Sequence, residues 1–334
     1  MIYHFIANPE IVDFFRDTAG HEAGACIDSE HQRFTNSAWA WIAQTAVLLR
    51  DAGLPVSMGP ELRPDAVNLG LAADLRRLPR TADCFRVSID ADQLRARWSN
   101  AFIVQNKAQA GRRAYWVPHW PQPGLLKRDP DRQGFKNVVF FGLARNLEHE
   151  EAWWREVCGQ FGMQFSVRPP AQWHDYRDVD VAIGVRRFGR KKFNNKPPTK
   201  LFNAWIAGCV FIGGADSAYY QVGSAGKDYL IAANERAFTY HLKALSQSPQ
   251  LGDQMILEGG RKVNRLGLRE RTCHHWMELL TREIGPEFER WSETSEPFRH
   301  LQLRAGLVMD GGVRFRNRCW RRAKDFCNRA AFWS

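Results

Sequence analysis

Short apolar runs alternate with polar and helix-like segments through the first part of the chain. The first run, Ile2 to Ala7, is followed by a long apolar helical segment, Trp39 to Leu49. Five more short runs follow, at Val56 to Met58, Val67 to Leu69, Phe85 to Ile89, Phe102 to Val104 and Tyr115 to Val117. Buried strands spaced by crossovers are typical of parallel sheets. This pattern predicts an α/β domain.

A proline-rich connector, 114–126, comes after the last of these runs. Its prolines fix the backbone and Gly124 frees it, so we expect the hinge between two domains here. A strand followed by glycine then starts again at Asn137 to Phe141 and Gly142. We therefore predict an N-terminal domain over 1–122, a C-terminal domain over 123–300 and a helical region over 301–334.

The segment from Asn194 to Gly214 is the most informative one. A polar turn with Lys196, Thr199 and Lys200 leads into an apolar stripe at helical spacing, then a glycine and a strand. A helix N-terminus presents free amides and the positive end of its dipole, and here a hydroxyl and a full charge are added. The turn suits a phosphate, although solvated lysines at a helix start would give the same pattern.

This segment, K-P-x-x-K-L-x-N-A-x-x-A-G, resembles the donor-binding helix of GT-B fold glycosyltransferases, and more narrowly that of bacterial fucosyltransferase-type enzymes. The resemblance implies two Rossmann-like parallel-sheet domains facing a central cleft. It also implies a nucleotide-sugar substrate, of GDP or UDP type, and no further cofactor. The donor-binding residues that it implies are Gly142, Arg145, Arg186, Lys196, Thr199, Lys200, Asn203 and Ser217.

One departure from the family pattern concerns the mechanism. Retaining GT-B enzymes usually carry Glu at both ends of an E-x7-E phrase, and this chain has Asn195 and Asn203 there. We therefore expect inversion, which needs one base to deprotonate the acceptor hydroxyl. Glu22 and His21, in a small-residue loop after the first strand, are the candidate base. His119 in the connector either faces the cleft or helps to seal the hinge.

Two D-x-D phrases, Asp90 with Asp92 and Asp178 with Asp180, look like the metal-binding motif of the other glycosyltransferase fold. That fold does not predict the second strand and glycine, so we interpret these carboxylates as element boundaries and expect no metal. Five cations between Arg186 and Lys192 could neutralise a diphosphate leaving group instead.

Composition sets further bounds. The chain has 334 residues, 44% of them apolar, which is enough for two cores, and its net charge of +11 implies an anionic partner. Seven scattered cysteines without a C-x-x-C pair argue against a disulfide scaffold or a zinc ribbon. The N-terminus does not resemble a signal peptide, and no run of about 18 apolar residues is present. We expect a bacterial, cytoplasmic protein.

The tail, 313–334, combines many cations with large apolar residues at helical spacing. It would suit peripheral docking on an anionic membrane, where lipid-linked acceptors lie. It would equally suit a helix that crosses back onto the N-terminal domain.

The sequence therefore favours a metal-independent, inverting glycosyltransferase of the hexosyl or deoxyhexosyl type. Its acceptor would be a glycan, lipid-linked or protein hydroxyl in cell-surface polysaccharide biosynthesis. One alternative is a non-catalytic protein of the same fold that binds an anionic polymer, either nucleic acid or acidic glycan. We expect no nucleic acid, because the cations do not alternate with aromatics along a strand face. A sugar-nucleotide epimerase with a double Rossmann layout is a third possibility.

Overall fold

The computed structural model describes residues 1–266 and 268–330, without the side chains of 321–330. Within these residues, eleven strands form two sheets in which all neighbouring strands are parallel. The predicted class, α/β with two parallel-sheet domains, is confirmed.

The N-terminal sheet has six strands in the order β2-β1-β3-β4-β5-β6. They are β1 (Ile2–Ile6), β2 (Val56–Gly59), β3 (Ala66–Leu71), β4 (Phe85–Ile89), β5 (Ala101–Val104) and β6 (Ala114–Trp116). Each coincides with a predicted apolar run to within two residues. Strands β3, β4 and β5 are buried along their whole length, and the polar side chains of His4, Asn68, Arg86 and Ser88 are buried in this sheet as well.

The C-terminal sheet has five strands in the order β11-β10-β9-β7-β8. They are β7 (Asn137–Phe141), β8 (Gln164–Arg168), β9 (Val181–Gly184), β10 (Val210–Gly213) and β11 (Leu230–Ile231). Two apolar clusters cover its two faces, one containing Trp154 and Phe238 and the other Trp205 and Phe211.

Helices connect the strands and follow the second sheet. They are α1 (Pro9–Asp17), α2 (Ala23–Ser29), α3 (Gln44–Asp51), α4 (Ala72–Leu75), α5 (Glu151–Gly159), α6 (Thr199–Ala207), α7 (Ser217–Val222), α8 (Glu235–Gln247), α9 (Pro249–Leu266), α10 (Leu268–Glu278), α11 (Gly285–Ser292) and α12 (Glu296–Ala330). A π-helical turn, Trp39–Ala43, precedes α3, and another, Leu279–Ile284, joins α10 to α11.

The connector between the sheets is anchored at both ends. Trp120 is fully buried in the N-terminal core, and its indole N–H donates to Thr45 Oγ1 at 2.8 Å. Leu126 already pairs with the C-terminal domain, since its N–H donates to the carbonyl oxygen of His174 at 2.8 Å. Gly124 lies between them with φ of +62°, a conformation that glycine adopts readily.

Helices α10 and α11 return to the N-terminal domain. Trp276, Leu280 and Trp291 share one apolar cluster with Phe5, and the hydroxyl of Tyr3 donates to the carbonyl oxygen of Leu280 at 2.9 Å. The predicted division placed residues up to 300 in the C-terminal domain. The structure differs because these apolar side chains complete the core of the first sheet.

The first part of α12 also lies on the N-terminal domain. Leu303 packs in a cluster with Ile6 and Trp98, and the Asp310 carboxylate accepts from Arg76 at 3.2 Å. Membrane docking through 313–334 stays a prediction, and side chains beyond residue 320 lie outside the described part. Of the helices in that part, none has the length and apolarity that crossing a membrane requires.

Candidate functional site

The two domains enclose a cavity of about 290 Å³ at the carboxyl ends of the strands. In the C-terminal sheet the strand order reverses between β7 and β9, and ligands of open α/β sheets bind at such a switch point. Gly142 directly follows β7, Arg186 lies two residues after β9, and both line the cavity. The N-terminal domain contributes Asn36 and Asp92 to the opposite wall. We call this space the cleft cavity.

Lys200 occupies the first turn of α6, whose N-terminus faces the cleft cavity. Its Nζ lies 4.5 Å from the centre of the Phe140 ring, and among the described residues it has neither a hydrogen bond nor a carboxylate partner. Burial lowers the pKa of Lys200 well below its ordinary value, and the charges of Arg186 and Lys196 lower it further against the opposing effect of Asp216. The chain therefore holds, at a helix start, a desolvated amine that makes no ion-pair contact with a carboxylate of the described residues.

Thr199 precedes Lys200 and also lines the cavity. Its Oγ1 is buried, with no hydrogen-bond partner among the described residues. Buried hydroxyls are normally paired, because an unsatisfied one costs about 1–3 kcal/mol. Together, the free hydroxyl, the free amine and the amides of α6 form a set of donors that lacks an acceptor.

Gly142 lets the backbone approach these donors. A Cβ at this position would lie 2.7 Å from the Phe140 ring and 3.1 Å from Lys200 Nζ. Glycine at this position therefore leaves the backbone bare beside Lys200.

Arg186, which lines the cavity, forms an ion pair with Asp216 behind it, with Nε and Oδ2 at 3.1 Å. Burial raises the pKa of Asp216 to about 6, although Arg186 and Lys200 act to lower it. Its Oδ1 has no partner among the described residues. Asp216 was not among the predicted site residues, although an acid two residues after the glycine pair Gly213-Gly214 was a usable signal.

Lys196 reaches across the cleft to the N-terminal domain. Its Nζ contacts Asp92 Oδ2 at 2.8 Å, and its carbonyl oxygen accepts from the side chain of Asn106 at 2.9 Å. The same Asn106 amide also donates to Ser217 Oγ at 2.9 Å. Ser217 is not among the residues that line the cavity, so its hydroxyl joins the two domains instead.

Asn203 lines the cavity and also holds the connector. Its Oδ1 accepts from the backbone N–H of Gln122 at 3.2 Å, and Tyr176 lines the same side of the cavity. Tyr176 stacks on Phe141 with ring centres 4.0 Å apart, and Trp173 lies beside it in the wall. This aromatic side of the cavity comes from the Arg168 to Tyr176 turn.

His119 is a cavity residue on the side of the connector. Its Nδ1 lies 2.7 Å from the carbonyl oxygen of Trp120, so Nδ1 carries the proton and Nε2 keeps its lone pair. Burial lowers the pKa of His119, against the opposing effects of this hydrogen bond and of Asp92. A neutral imidazole with a free ring nitrogen can accept a proton.

Besides Ser217, three predicted residues lie outside the cavity lining. Glu22 is the N-cap of α2, where its carboxylate accepts from the amides of Gly24 and Ala25, and His21 is exposed beside it. Arg145 is exposed in the turn after Gly142. The small-residue loop thus forms a helix start, which uses the carboxylate that the sequence suggested as a base.

The D-x-D carboxylates bind cations of the chain itself. Asp180 is buried and accepts from Arg128 and Arg132, and Asp178 pairs with Arg168. Asp90 pairs with Arg95 at 2.7 Å. No cluster of three or more His, Cys, Asp or Glu suited to a metal ion occurs among the described residues.

Comparisons with known proteins bear on the fold. No protein-family model matches the sequence, and no curated protein matches it. Among solved structures, sucrose-phosphate synthase from Thermosynechococcus elongatus has a TM-score of 0.50 and 10% identity, covering 86% of this chain and all 100% of that one. Anabaena HepE in complex with UDP and glucose has a TM-score of 0.48 and 10% identity, with 84% and 99% covered.

TarM of S. aureus has a TM-score of 0.49 and 8% identity, with 72% of this chain covered. This chain spans 59% of the length of TarM. The match to sucrose-phosphate synthase, over the whole of that chain, agrees with the two parallel sheets and the cavity between them. The chain therefore adopts the GT-B fold, as the resemblance of its α6 segment implied.

Proposed function

We propose that this protein is a glycosyltransferase that moves a sugar from a nucleoside-diphosphate sugar to a hydroxyl acceptor. The diphosphate would lie between α6 and Gly142, and the nucleobase beside Trp173. The sugar would face the N-terminal wall of the cleft cavity. We further propose that transfer inverts the anomeric centre and needs no metal.

The observation that carries the proposal is Lys200, an amine in a desolvated position without a carboxylate partner. A desolvated amine without an ion-pair partner costs stability, and such perturbed groups cluster at functional sites. A diphosphate would supply the missing counter-charge, restore the pKa of Lys200 and accept from Thr199 Oγ1. Because these groups are desolvated, each of these contacts would be stronger than it is on the open surface.

His119 is our proposed base in place of Glu22 and His21. The acceptor hydroxyl would give its proton to Nε2 while its oxygen attacks the anomeric carbon. The bond from that carbon to the diphosphate oxygen would break, and its electrons would stay on the diphosphate. Lys200, Arg186 and Lys196 would neutralise the charge that develops there, which is the role a metal has in other transferases.

Inversion is supported by Asn203. This amide occupies the position of a family glutamate, and its oxygen already accepts from the Gln122 amide. Three finer parts of the proposal rest on the resemblance of 196–208 alone: the fucosyltransferase-like class, a hexosyl or deoxyhexosyl unit, and an acceptor in bacterial cell-surface polysaccharide synthesis. A cytoplasmic site of action rests on the scattered cysteines, and peripheral membrane contact rests on the cationic and apolar pattern of 313–334.

The test is thermal unfolding of the protein with UDP, GDP and ADP in the presence of a chelator. We expect one diphosphate, at a hundred-fold excess over its Kd, to stabilise the wild type by about 2.7 kcal/mol. Lys200→Met should lose this shift without losing stability, because the change removes a desolvated charge. Lys243→Met, an exposed lysine of α8, is the matched control and should behave as wild type. Equal shifts in Lys200→Met and wild type would refute the proposed site.

A further inference from the structure

A second cavity lies at the opposite ends of the strands of the N-terminal sheet. Its volume is about 300 Å³, and its walls come from the residues just before β4, β5 and β6 and from α12. These are the amino ends of the strands, whereas the cleft cavity lies at their carboxyl ends. A strand of five residues, such as β4, separates its two ends by about 13 Å. The two cavities are therefore distinct.

Arginine dominates this second cavity, which we call the arginine cavity. Neither Asp nor Glu is among its lining residues. The five arginines that line it have no carboxylate ion pair among the described residues; they are Arg86, Arg97, Arg112, Arg113 and Arg299. Surface arginines are usually interspersed with acids, so five unpaired ones around one cavity produce a strong positive potential.

The cavity also contains buried donors without acceptors. Trp98 and Ser99 are 4% and 2% exposed, and neither Trp98 Nε1 nor Ser99 Oγ has a hydrogen-bond partner among the described residues. The same holds for the Nε atoms of Arg86 and Arg299. Four unsatisfied buried donors around one space are unusual, because such groups are nearly always paired. They indicate a missing acceptor.

Packing holds these groups in place before any ligand arrives. A Cβ on Gly306 would lie 2.5 Å from the Cα of Trp98, so α12 rests directly on the wall. The guanidinium of Arg299 lies 4.9 Å from the ring centre of Trp291, and that of Arg86 lies 5.5 Å from the ring centre of Trp98. The main-chain N–H of Arg86 donates to Asn100 Oδ1, and its guanidinium donates to the carbonyl oxygen of Cys84 and to Thr81 Oγ1. Preorganised donors lose little entropy on binding.

We propose that the arginine cavity binds a phosphate group. Planar guanidinium groups form paired hydrogen bonds with phosphate oxygens, and a phosphate accepts at several oxygens without donating. An indole N–H and a serine hydroxyl complete such a donor shell. This proposal is independent of the glycosyltransferase proposal, because none of its residues lines the cleft cavity.

An adjoining groove would take the group attached to the phosphate. It has a volume of about 500 Å³, shares Arg112 and Arg113 with the arginine cavity, and continues past Tyr115 and Arg290. Its one acid, Glu287, accepts from the Tyr115 hydroxyl at 2.6 Å. The phosphate could thus belong to a soluble phosphate ester or to a lipid headgroup.

The test measures binding of inorganic phosphate by titration calorimetry. All titrations are made in the Lys200→Met variant, because this change removes the main group of the cleft cavity that would bind phosphate. We expect the double variant Arg112→Gln with Arg299→Gln to weaken binding about tenfold or more, since two charge-assisted contacts disappear. Trp98→Phe keeps the ring and removes only the N–H, so it should weaken binding about threefold. Arg271→Gln with Arg304→Gln removes the same charge from exposed positions and should leave binding unchanged.

Vesicles separate the two sources. If the phosphate belongs to a lipid headgroup, phosphatidylcholine vesicles that contain phosphatidic acid should bind the wild-type protein in a flotation assay. Inorganic phosphate should compete with this binding. Binding of free phosphate alone would assign a soluble ester, and both results support the site. The proposal fails if the Arg112/Arg299 variant binds both probes as well as the Arg271/Arg304 control. Unfolding temperatures of all variants show whether each is folded.

Discussion

The two sheets share one strand order but use it differently. From the edge inward, the N-terminal sheet runs β2-β1-β3-β4-β5 and the C-terminal sheet runs β8-β7-β9-β10-β11. Each order reverses once, between β1 and β3 and between β7 and β9. By topology alone, both switch points could hold a ligand.

Apolar side chains fill the switch point of the N-terminal sheet. Ile6 ends β1, and Ala72 and Leu75 of α4 follow β3 in one cluster with Leu303 of α12. A Cβ on Gly70 would lie 3.0 Å from Leu75 and 3.2 Å from Ile6. This glycine therefore serves packing between a strand and a helix.

Polar groups surround the corresponding position of the C-terminal sheet. Gly142 faces Lys200, and Arg186, paired with Asp216, lines the cavity beside them. The same backbone arrangement thus carries a core in one domain and a candidate donor site in the other. Function follows from the side chains placed at the switch point and not from the topology.

The largest effect on kcat should come from changing His119. Through this residue the N-terminal half would take part in the reaction, although its own switch point is filled by apolar side chains. Because the proposed base must be neutral, kcat/KM should be constant at high pH and fall as the pH drops through the pKa of His119, which lies below 6.5. His119→Gln should lower kcat on the order of 100-fold and abolish this acid limb. A pH–rate profile of both proteins measures it. An unchanged limb in the variant would remove His119 from the mechanism.

The two switch-point glycines provide the most direct comparison. Gly142→Ala places a methyl group against Lys200 and should weaken binding of the nucleoside diphosphate about tenfold or more, since overpacking costs about 1–3 kcal/mol. Gly70→Ala should lower the free energy of unfolding by a similar amount, and with it the unfolding temperature, while leaving nucleotide affinity intact. Calorimetric titration and thermal unfolding of both variants decide this. If Gly70→Ala weakened nucleotide binding as much, the contrast between the sheets would be wrong.

Thr199→Val sharpens the contrast on a smaller scale. Valine keeps the shape and removes a hydroxyl that has no partner, so the free protein should be as stable as wild type or more stable by up to about 1 kcal/mol. Affinity for the diphosphate should fall about fivefold, the cost of one hydrogen bond. A loss of stability in the free protein would mean that Thr199 is a structural residue.

Asp92→Asn should have the smallest effect. Its contact with Lys196 crosses the cleft, but the Asp92 side chain is 50% exposed and exposed pairs contribute about 0.2–1 kcal/mol. We expect kcat/KM to change by a factor of about two, with a weaker salt dependence than in the wild type. A loss of ten times or more would show that Asp92 itself takes part in the reaction.

The sequence alone determined the elements and the chemistry carried by single segments. Apolar runs located seven of the strands, β1 to β7, within two residues, and Gly208 ends α6 with φ of +76°. Gly142, Thr199 and Lys200 were identified because a strand, a turn and a helix start are local patterns. Such patterns depend on neighbours a few residues apart, which a sequence displays directly.

Tertiary structure decided which distant groups meet. Glu22 became a helix cap, His119 reached the cleft cavity, and α10 to α12 joined the core of the first sheet. Arg86 and Arg299, 213 positions apart, lie in one cavity only because α12 packs against Trp98. Whether a charged side chain has an ion-pair partner depends on such long-range packing. Hydrophobic periodicity in the sequence therefore could not show that Lys200 lacks a carboxylate partner or that five arginines line one cavity.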